Sequence, residues 1–398
     1  MEKIRVAIIG CGHFAFNFVP LFKAHPNVEK VYCCDIVPER AEAYSKRYDI
    51  EIISSFEEAI AREDINCIAI FTERHTHGPL AIAALEAGKD VYSAVPMAST
   101  PEECKAIIDT VVRTKRTYMM GETCVYYPCS MFCKQEMEKG TFGRFVYAEA
   151  QYFHDLSHFG EWYREFLPSY SLPPFFYPTH STAMALNAAG SYAVKVTAFG
   201  VRDEDERFRK GANPWNNEFS DEICLMQLAN GGVVRIAECR RIGHKAPSSY
   251  INGFYGTKAG YQFNNAQHIL TTLTEKGVDL RDVSDEVNPR EMTANKNDPE
   301  FKQKAANHVW QGNSFAPVHD KDIARLPKSY EGEPNGHMAS HQFLIDDFCT
   351  AVYERKMPTV NAWVAARYTI PGLMAHKSAE MGGVPVDIPD YGDAPETL

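Results

Sequence analysis

The sequence predicts an α/β N-terminal domain built on a doubly wound parallel sheet, followed by an α+β domain with an open, mostly antiparallel sheet. Three observations carry this. From residue 4 to about 122, short apolar runs alternate with amphipathic stretches, the β-α-β-α rhythm of a parallel sheet. Beyond about residue 143, longer strand-like segments follow one another directly or through turns, as in antiparallel sheets. A glycine-rich turn joins the first strand to the first helix.

In order, strands are expected at Ile4 to Ile9, Lys30 to Cys34, Cys67 to Phe71, Asp90 to Ser93 and Thr117 to Met120. Helices fill the gaps at Phe14 to His25, Pro38 to Arg47, Ser55 to Arg62, Pro79 to Ala87 and Pro101 to Arg113. Thr100-Pro101-Glu102-Glu103 offers an N-cap, a proline at the first helical position and acids in the first turn. In the second half, strands are expected at Arg144 to Phe153, Ala193 to Phe199, Glu222 to Leu228, Gly232 to Cys239 and Tyr250 to Tyr255, with Asn230-Gly231-Gly232 as a hairpin turn. His341 to Glu354 and Ala362 to Met381 return to helix. Residues 264–335 are polar and weakly periodic, which suggests a lid or an edge wrapping. The expected organisation is a dinucleotide-binding domain over 1–125, a substrate and oligomerisation domain over 126–337 with 264–335 inserted, and C-terminal helices over 338–398 that pack back on the sheet or first domain.

With 398 residues, 45% of them hydrophobic, the chain is long enough for two or three cores. A formal net charge of −11 gives no footprint for a nucleic acid or an anionic membrane, the short Arg240 to Lys245 stretch being the densest basic run. No apolar run reaches membrane-spanning length. The start leads straight into a strand without a signal-like core, and the eleven cysteines are an odd number scattered along the chain. Both point to a reducing, cytoplasmic setting with free core thiols.

Gly10-Cys11-Gly12-His13-Phe14-Ala15 stands between strand and helix, the context in which this spacing cradles a dinucleotide in a Rossmann fold. Gly10 permits the tight turn, Gly12 lets the backbone approach a pyrophosphate, and Ala15 lets helix and strand pack. The helix N-terminus supplies N–H groups and partial positive charge. Twenty positions after Ala15, Asp35 is placed to accept from a ribose hydroxyl and to repel a 2′-phosphate, which favours NAD over NADP.

With Thr72 and His77 after the next strand, the Asp90 to Pro96 segment and the open second sheet, the chain resembles the glucose-fructose oxidoreductase, inositol dehydrogenase and rhizopine catabolism (Gfo/Idh/MocA) family over essentially its whole length. Members usually carry Glu-Lys-Pro, with the lysine beside the reacting carbinol; here the residues are Ala94-Val95-Pro96, and Val95 cannot hold a proton. A narrower resemblance is to the NAD-dependent glycosidases of glycoside hydrolase family 109, which have Val-Pro at this place. It rests further on Glu122-Thr123-Cys124-Val125-Tyr126, Tyr152-Phe153-His154-Asp155, Tyr177-Pro178-Thr179-His180, and Gly336 to His341 leading into Asp346-Asp347-Phe348. The chain departs from that group at Ser181-Thr182-Ala183, where a glycine-rich run is usual, and at 264–335, which has no counterpart.

The resemblance implies bound NAD and a carbohydrate substrate, with Val95 and Pro96 beside the cofactor. A sugar carbinol that gives up hydride needs a base of suitable pKa, and His180 with Tyr177 three residues before it is the candidate. Oxidation acidifies the neighbouring C–H, so a second set, Glu122, Tyr152 and His154, is expected to serve elimination of the anomeric substituent and addition of water. His75, His77, Cys124, Cys129 and Cys133 lack the paired spacing of a metal site, so no metal is expected. Trp162, Tyr163 and Arg164 offer a sugar platform or a core contact. A net sugar or polyol dehydrogenase using His180 as base, and a silent dinucleotide-binding regulator, are the alternatives. The uncovered sheet face suggests a homo-oligomer, a dimer or tetramer.

Overall fold

The computed structural model describes residues 2–156, 161–244, 248–289, 315–333 and 335–397. The chain divides into two compact units. The first comprises Met1–Tyr126, Pro289–Ala366 and Tyr391–Leu398, and the second Tyr127–Asn288 and Arg367–Asp390.

The first unit holds a six-stranded parallel sheet: β1 (Ile4–Ile9), β2 (Val28–Cys34), β3 (Glu51–Ile52), β4 (Cys67–Ile70), β5 (Asp90–Ser93) and β6 (Tyr118–Met120). Their spatial order is β3-β2-β1-β4-β5-β6, so the chain reverses direction across the sheet between β1 and β4, where doubly wound sheets bind ligands. Ile4, Val6, Ile8, Ile68 and Ile70 are fully buried, which is why these runs read as continuous apolar stretches. The connecting helices are α1 (Val19–Ala24), α2 (Pro38–Tyr48), α3 (Phe56–Ala61), α4 (His77–Glu86) and α5 (Pro101–Thr114). Thr100 caps α5 by accepting from the Glu103 N–H at 3.1 Å.

The first helix differs from expectation. In place of one helix from Phe14 to His25, a 3₁₀ turn over Ala15–Asn17 is followed by the short α1. Pro20 has no N–H to reach the Phe16 carbonyl, and that carbonyl accepts instead from the Tyr48 hydroxyl at 2.9 Å.

The second unit is a nine-stranded sheet: β7 (Phe145–Phe153), β8 (Ala193–Arg202), β9 (Phe219–Leu228), β10 (Val233–Cys239), β11 (Ser249–Gly256), β12 (Ala259–Phe263), β13 (His268–Thr274), β14 (Gly277–Asp282) and β15 (Val386–Asp387). The order is β14-β13-β12-β11-β7-β10-β9-β8-β15. Neighbours are antiparallel except β7 and β10, which run parallel. The expected hairpin lies between β9 and β10, where Gly231 adopts φ +84° and its N–H donates to Leu228 O at 2.9 Å. The helices are α6 (Pro128–Glu138), the short α7 (Glu161–Glu165) and α8 (Leu167–Tyr170), α9 (Thr179–Ala189) and α10 (Ser284–Val287). Helix α9 packs on the face formed by β7, β10 and β11.

The 264–335 stretch is not one loop. β13 and β14 lie within it, and every residue of β14 is exposed, the alternating Val278 and Leu280 included. Residues 290–314 lie outside the described residues. Residues 315–333 belong to the first unit. His319 Nε2 meets the Tyr126 carbonyl at 2.8 Å, and Arg325 pairs with Asp346 and Asp347. The helix His341–Glu354 also belongs to the first unit, while Ala362–Glu380 begins there and continues in the second from Arg367.

Candidate active site

The glycine turn shows why each small residue stands where it does. Gly10 adopts φ +95°, and a Cβ there would lie 2.7 Å from the Phe71 carbonyl oxygen, a conformation and a space that other residues do not tolerate. A Cβ on Gly12 would meet nothing within 4 Å, so the room beside it is open to a ligand. Ala15 is fully buried, and exposed His13 and half-buried Phe14 flank the turn. Asp35 braces the loop: one carboxylate oxygen accepts from Cys11 N–H at 2.6 Å and the other from Val37 N–H at 2.8 Å. Asp35 is therefore both a turn residue and the acid at the end of β2, and the open backbone at Gly12 beside it fits the phosphates and ribose of a dinucleotide.

The next loop is held from below. Thr72 and Thr76 hydroxyls meet at 2.6 Å. His77 is buried, its Nδ1 2.9 Å from the Pro96 carbonyl and its Nε2 3.1 Å from the Thr72 carbonyl. Burial lowers its pKa, against the pull of those carbonyls, and the ring, which in its neutral form donates to one of the two carbonyls at a time, lies between the two loops. Val95 is buried and its bond to Pro96 is cis. Glu122, just beyond β6, is fully buried and its Oε1 accepts from Cys124 N–H at 2.8 Å. In the same unit the His341 ring packs on Phe18 at 4.3 Å between centroids.

In the second unit, four of the expected residues come together. Tyr152 and His154 stand at and just beyond the end of β7, and His180 lies in the first turn of α9, after Tyr177 and Pro178. The Tyr177 hydroxyl is 3.1 Å from His180 Nε2. Ring centroids of Tyr152 lie 5.3 Å from His154, 6.0 Å from Tyr177 and 5.1 Å from His180. The local turn follows from Pro178, which precedes the helix and whose carbonyl accepts from Ser181 and Thr182 hydroxyls at 3.0 and 3.1 Å.

Beneath this cluster are residues the sequence reading did not assign. Glu238 on β10 is fully buried. It accepts from the Ser181 hydroxyl on one oxygen and from Arg240 Nη2 at 2.8 Å on the other. Burial pushes its carboxyl up to about 7, with Arg240 and Ser181 opposing. The Arg240 guanidinium lies 4.8 Å from the centroid of the Tyr152 ring. The strand Val233 to Cys239 carried the signal. Its alternation puts Glu238 on the same face as fully buried Val234 and Ile236, and an acid on an apolar face needs a reason. On the neighbouring strand, opposite Glu238 in register, Glu222 accepts from His376 Nδ1 at 2.7 Å and from Phe175 N–H at 2.8 Å. The Trp162 and His337 side chains lie outside the described residues. Tyr163 packs against Tyr170 in a small cluster with Leu156 and Phe208.

Comparison with known proteins agrees with the fold. The model of the oxidoreductase family with an NAD-binding Rossmann fold, Gfo/Idh/MocA, matches residues 4–122. A glycosyl hydrolase family 109 protein of Streptomyces filamentosus is 25% identical, over 98% of this chain and 78% of that protein. An alpha-N-acetylgalactosaminidase of Shewanella oneidensis is 35% identical over 39% of this chain and 36% of its own length. Among solved structures, levoglucosan dehydrogenase in complex with NADH and levoglucosan superposes with a TM-score of 0.73 at 20% identity, covering 98% of this chain and 100% of that one. Residues 4–122 thus match the Gfo/Idh/MocA oxidoreductase family with its NAD-binding Rossmann fold, and nearly the whole chain is similar to proteins of glycosyl hydrolase family 109.

Proposed function

We propose that this NAD-dependent enzyme cleaves a glycoside by transient oxidation of the sugar, with Tyr177 and His180 as the first proton-transfer pair. The observation that carries the reading is the 3.1 Å contact between the Tyr177 hydroxyl and His180 Nε2 in a chain whose Val95 replaces the lysine usual in the family. The similarity to family 109 proteins over nearly the full length supports it. Gly10, Gly12, His13, Phe14, Ala15, Asp35, Thr72, His77, Val95 and Pro96 are assigned to holding or shaping the cofactor site.

When bound, NAD supplies reversible hydride transfer, so that none is consumed over a turnover. The Tyr177–His180 pair takes the proton of the sugar hydroxyl as that carbon becomes a carbonyl. The carbonyl acidifies the adjacent C–H, and a base from Glu122, Tyr152 and His154 removes that proton as the anomeric substituent leaves. The same set protonates the departing oxygen and guides water to the double bond. The first pair then returns its proton to the carbonyl oxygen as the alcohol is restored. Positioned acid–base groups of this kind contribute roughly 10² to 10⁴ in rate.

A panel of nitrophenyl glycosides tests this. Nitrophenol release without net NADH is the expected result. Stoichiometric NADH from free sugars with no nitrophenol would overturn it in favour of a dehydrogenase, the reading that the likeness to levoglucosan dehydrogenase favours.

Among the described residues no helix is long and apolar enough to cross a membrane. All eleven cysteines are free and buried, which supports a cytoplasmic setting. Phe199, Val201, Leu225 and Val233 are exposed on adjacent strands of one sheet, which supports a homo-oligomer formed through that face.

A further inference from the structure

The face of the second sheet beneath α9 carries a polar row that runs from Ser249 on β11, opposite Tyr152, across β7, β10 and β9. Tyr152 on β7, Glu238 on β10 and Glu222 on β9 stand opposite one another in register. Glu222 is engaged by His376 on one oxygen and by the Phe175 N–H on the other. Glu238 points the other way in its bonding. Its two oxygens reach one group on each side of the cluster: Ser181, next in sequence to His180, and Arg240, which lies over Tyr152.

Ser181 Oγ has a second acceptor, the Pro178 carbonyl at 3.0 Å. With Glu238 ionised, the hydroxyl proton is drawn to the carboxylate. With Glu238 protonated, the acid becomes the donor and the serine proton turns to Pro178, in the turn between Tyr177 and His180. Arg240, which also donates to the carbonyls of Tyr152, Cys239 and Pro174 at 3.3 to 3.4 Å, then loses the negative charge of Glu238 beside it.

We propose that Glu238 is a positioning residue of this site, its ionisation setting, through Ser181 and Arg240, the placement of His180 and Tyr152 for proton transfer. The inference rests on the reading of Tyr177 and His180 given above. The ionisable groups around Glu238 are Arg240 and Cys239 beside it, Glu222 and Cys224 on β9, Tyr152 on β7 and His180 on α9. Burial is the largest influence, and it brings the carboxyl to about 7, where a change of proton occupancy falls near neutral pH.

The test uses the full NAD-loaded chain. Glu238→Gln is expected to lower kcat roughly tenfold to a hundredfold, with KM and NAD affinity within about twofold, and to remove an ionisation near the value of about 7 from the pH–rate profile. Glu238→Asp should restore part of the rate and return the ionisation at a shifted position. Ser181→Ala, which keeps the charge, should lower kcat while leaving that ionisation in place. Infrared pH-difference spectra should show a protonated carboxyl band that titrates near the same value and is missing in Glu238→Gln. A profile and kcat unchanged in Glu238→Gln, or a uniform loss at every pH with its shape preserved, overturns the proposal. Absence of that titrating band does so even if no glycoside or sugar is turned over. Turnover lost on every substrate with the band intact would instead sink the reading of Tyr177 and His180.

Discussion

The Tyr177 hydroxyl stands 3.1 Å from His180 Nε2, with the Tyr152 ring 5.1 Å from the same imidazole. A hydroxyl and an imidazole joined in this way share one proton between them. His180→Ala should therefore cost about 10² to 10⁴ in kcat, and Tyr177→Phe less, while NAD titrations of both variants match the parent. Steady-state rates on the responsive glycoside, set beside cofactor affinity, decide it. Equal activity in parent and His180→Ala would remove the pair from the mechanism.

The two glycines of the first turn should respond in opposite ways to the same methyl group. Gly10→Ala forces a Cβ to 2.7 Å from the Phe71 carbonyl oxygen at φ +95°, and should lower stability by about 1–3 kcal/mol. Gly12→Ala places its methyl where no protein atom lies within 4 Å, so the thermal midpoint should hold while NAD affinity drops. Melting curves paired with cofactor titration check both. A Gly12→Ala protein that binds NAD normally would show that the pyrophosphate does not approach there.

Asp35 bonds Cys11 and Val37 backbone N–H groups and carries the negative charge at the end of β2. The parent should bind NAD in clear preference to NADP, because a 2′-phosphate would meet that carboxylate. Asp35→Asn should weaken NAD binding roughly tenfold, one charge-assisted hydrogen bond, and narrow the preference. An unchanged NAD to NADP ratio would take the carboxylate out of cofactor selection.

His376 gives a stability prediction with a definite sign. Burial disfavours its imidazolium, yet the Glu222 carboxylate 2.7 Å away outweighs that and raises the pKa. A raised folded value makes the stabilisation complete below the unfolded value of about 6.5, and lost as pH rises through the folded one. At the acidic end, His376→Gln should cost about 1.5–3 kcal/mol. The gap from the parent in urea unfolding should shrink as pH rises. A gap independent of pH would mean the imidazole is not protonated in the folded state.

Strands of the first unit were legible because they are buried on both faces, so that Val6 to Ile9 and Cys67 to Ile70 read as unbroken apolar runs. The helix after them was not, because Pro20 and the Tyr48 hydroxyl settle its form together from 28 residues apart in the chain. The edge strand β14 and its neighbour β13 escaped because the short runs that form them lie within a stretch that is polar overall. Tyr152, His154, Tyr177 and His180 were legible as chemistry-bearing types in short motifs. Glu238 was hidden because its partners, Ser181 and Arg240, sit at sequence separations of 57 and 2, and only pairing of β7 with β10 brings Tyr152 alongside it. The contacts of His77 with the Pro96 and Thr72 carbonyls were not legible, since those residues lie on both sides of it in sequence.

The parallel pairing of β7 with β10 has a kinetic corollary. Two strands running the same way cannot be joined by a tight hairpin, and here the chain between them travels through α9, β8 and β9 before returning. Tyr152 and Glu238 therefore become neighbours only after a long loop has closed, which is slower than forming local contacts. On dilution from denaturant, helical signal should recover first, and turnover cannot return before this pair of strands has met.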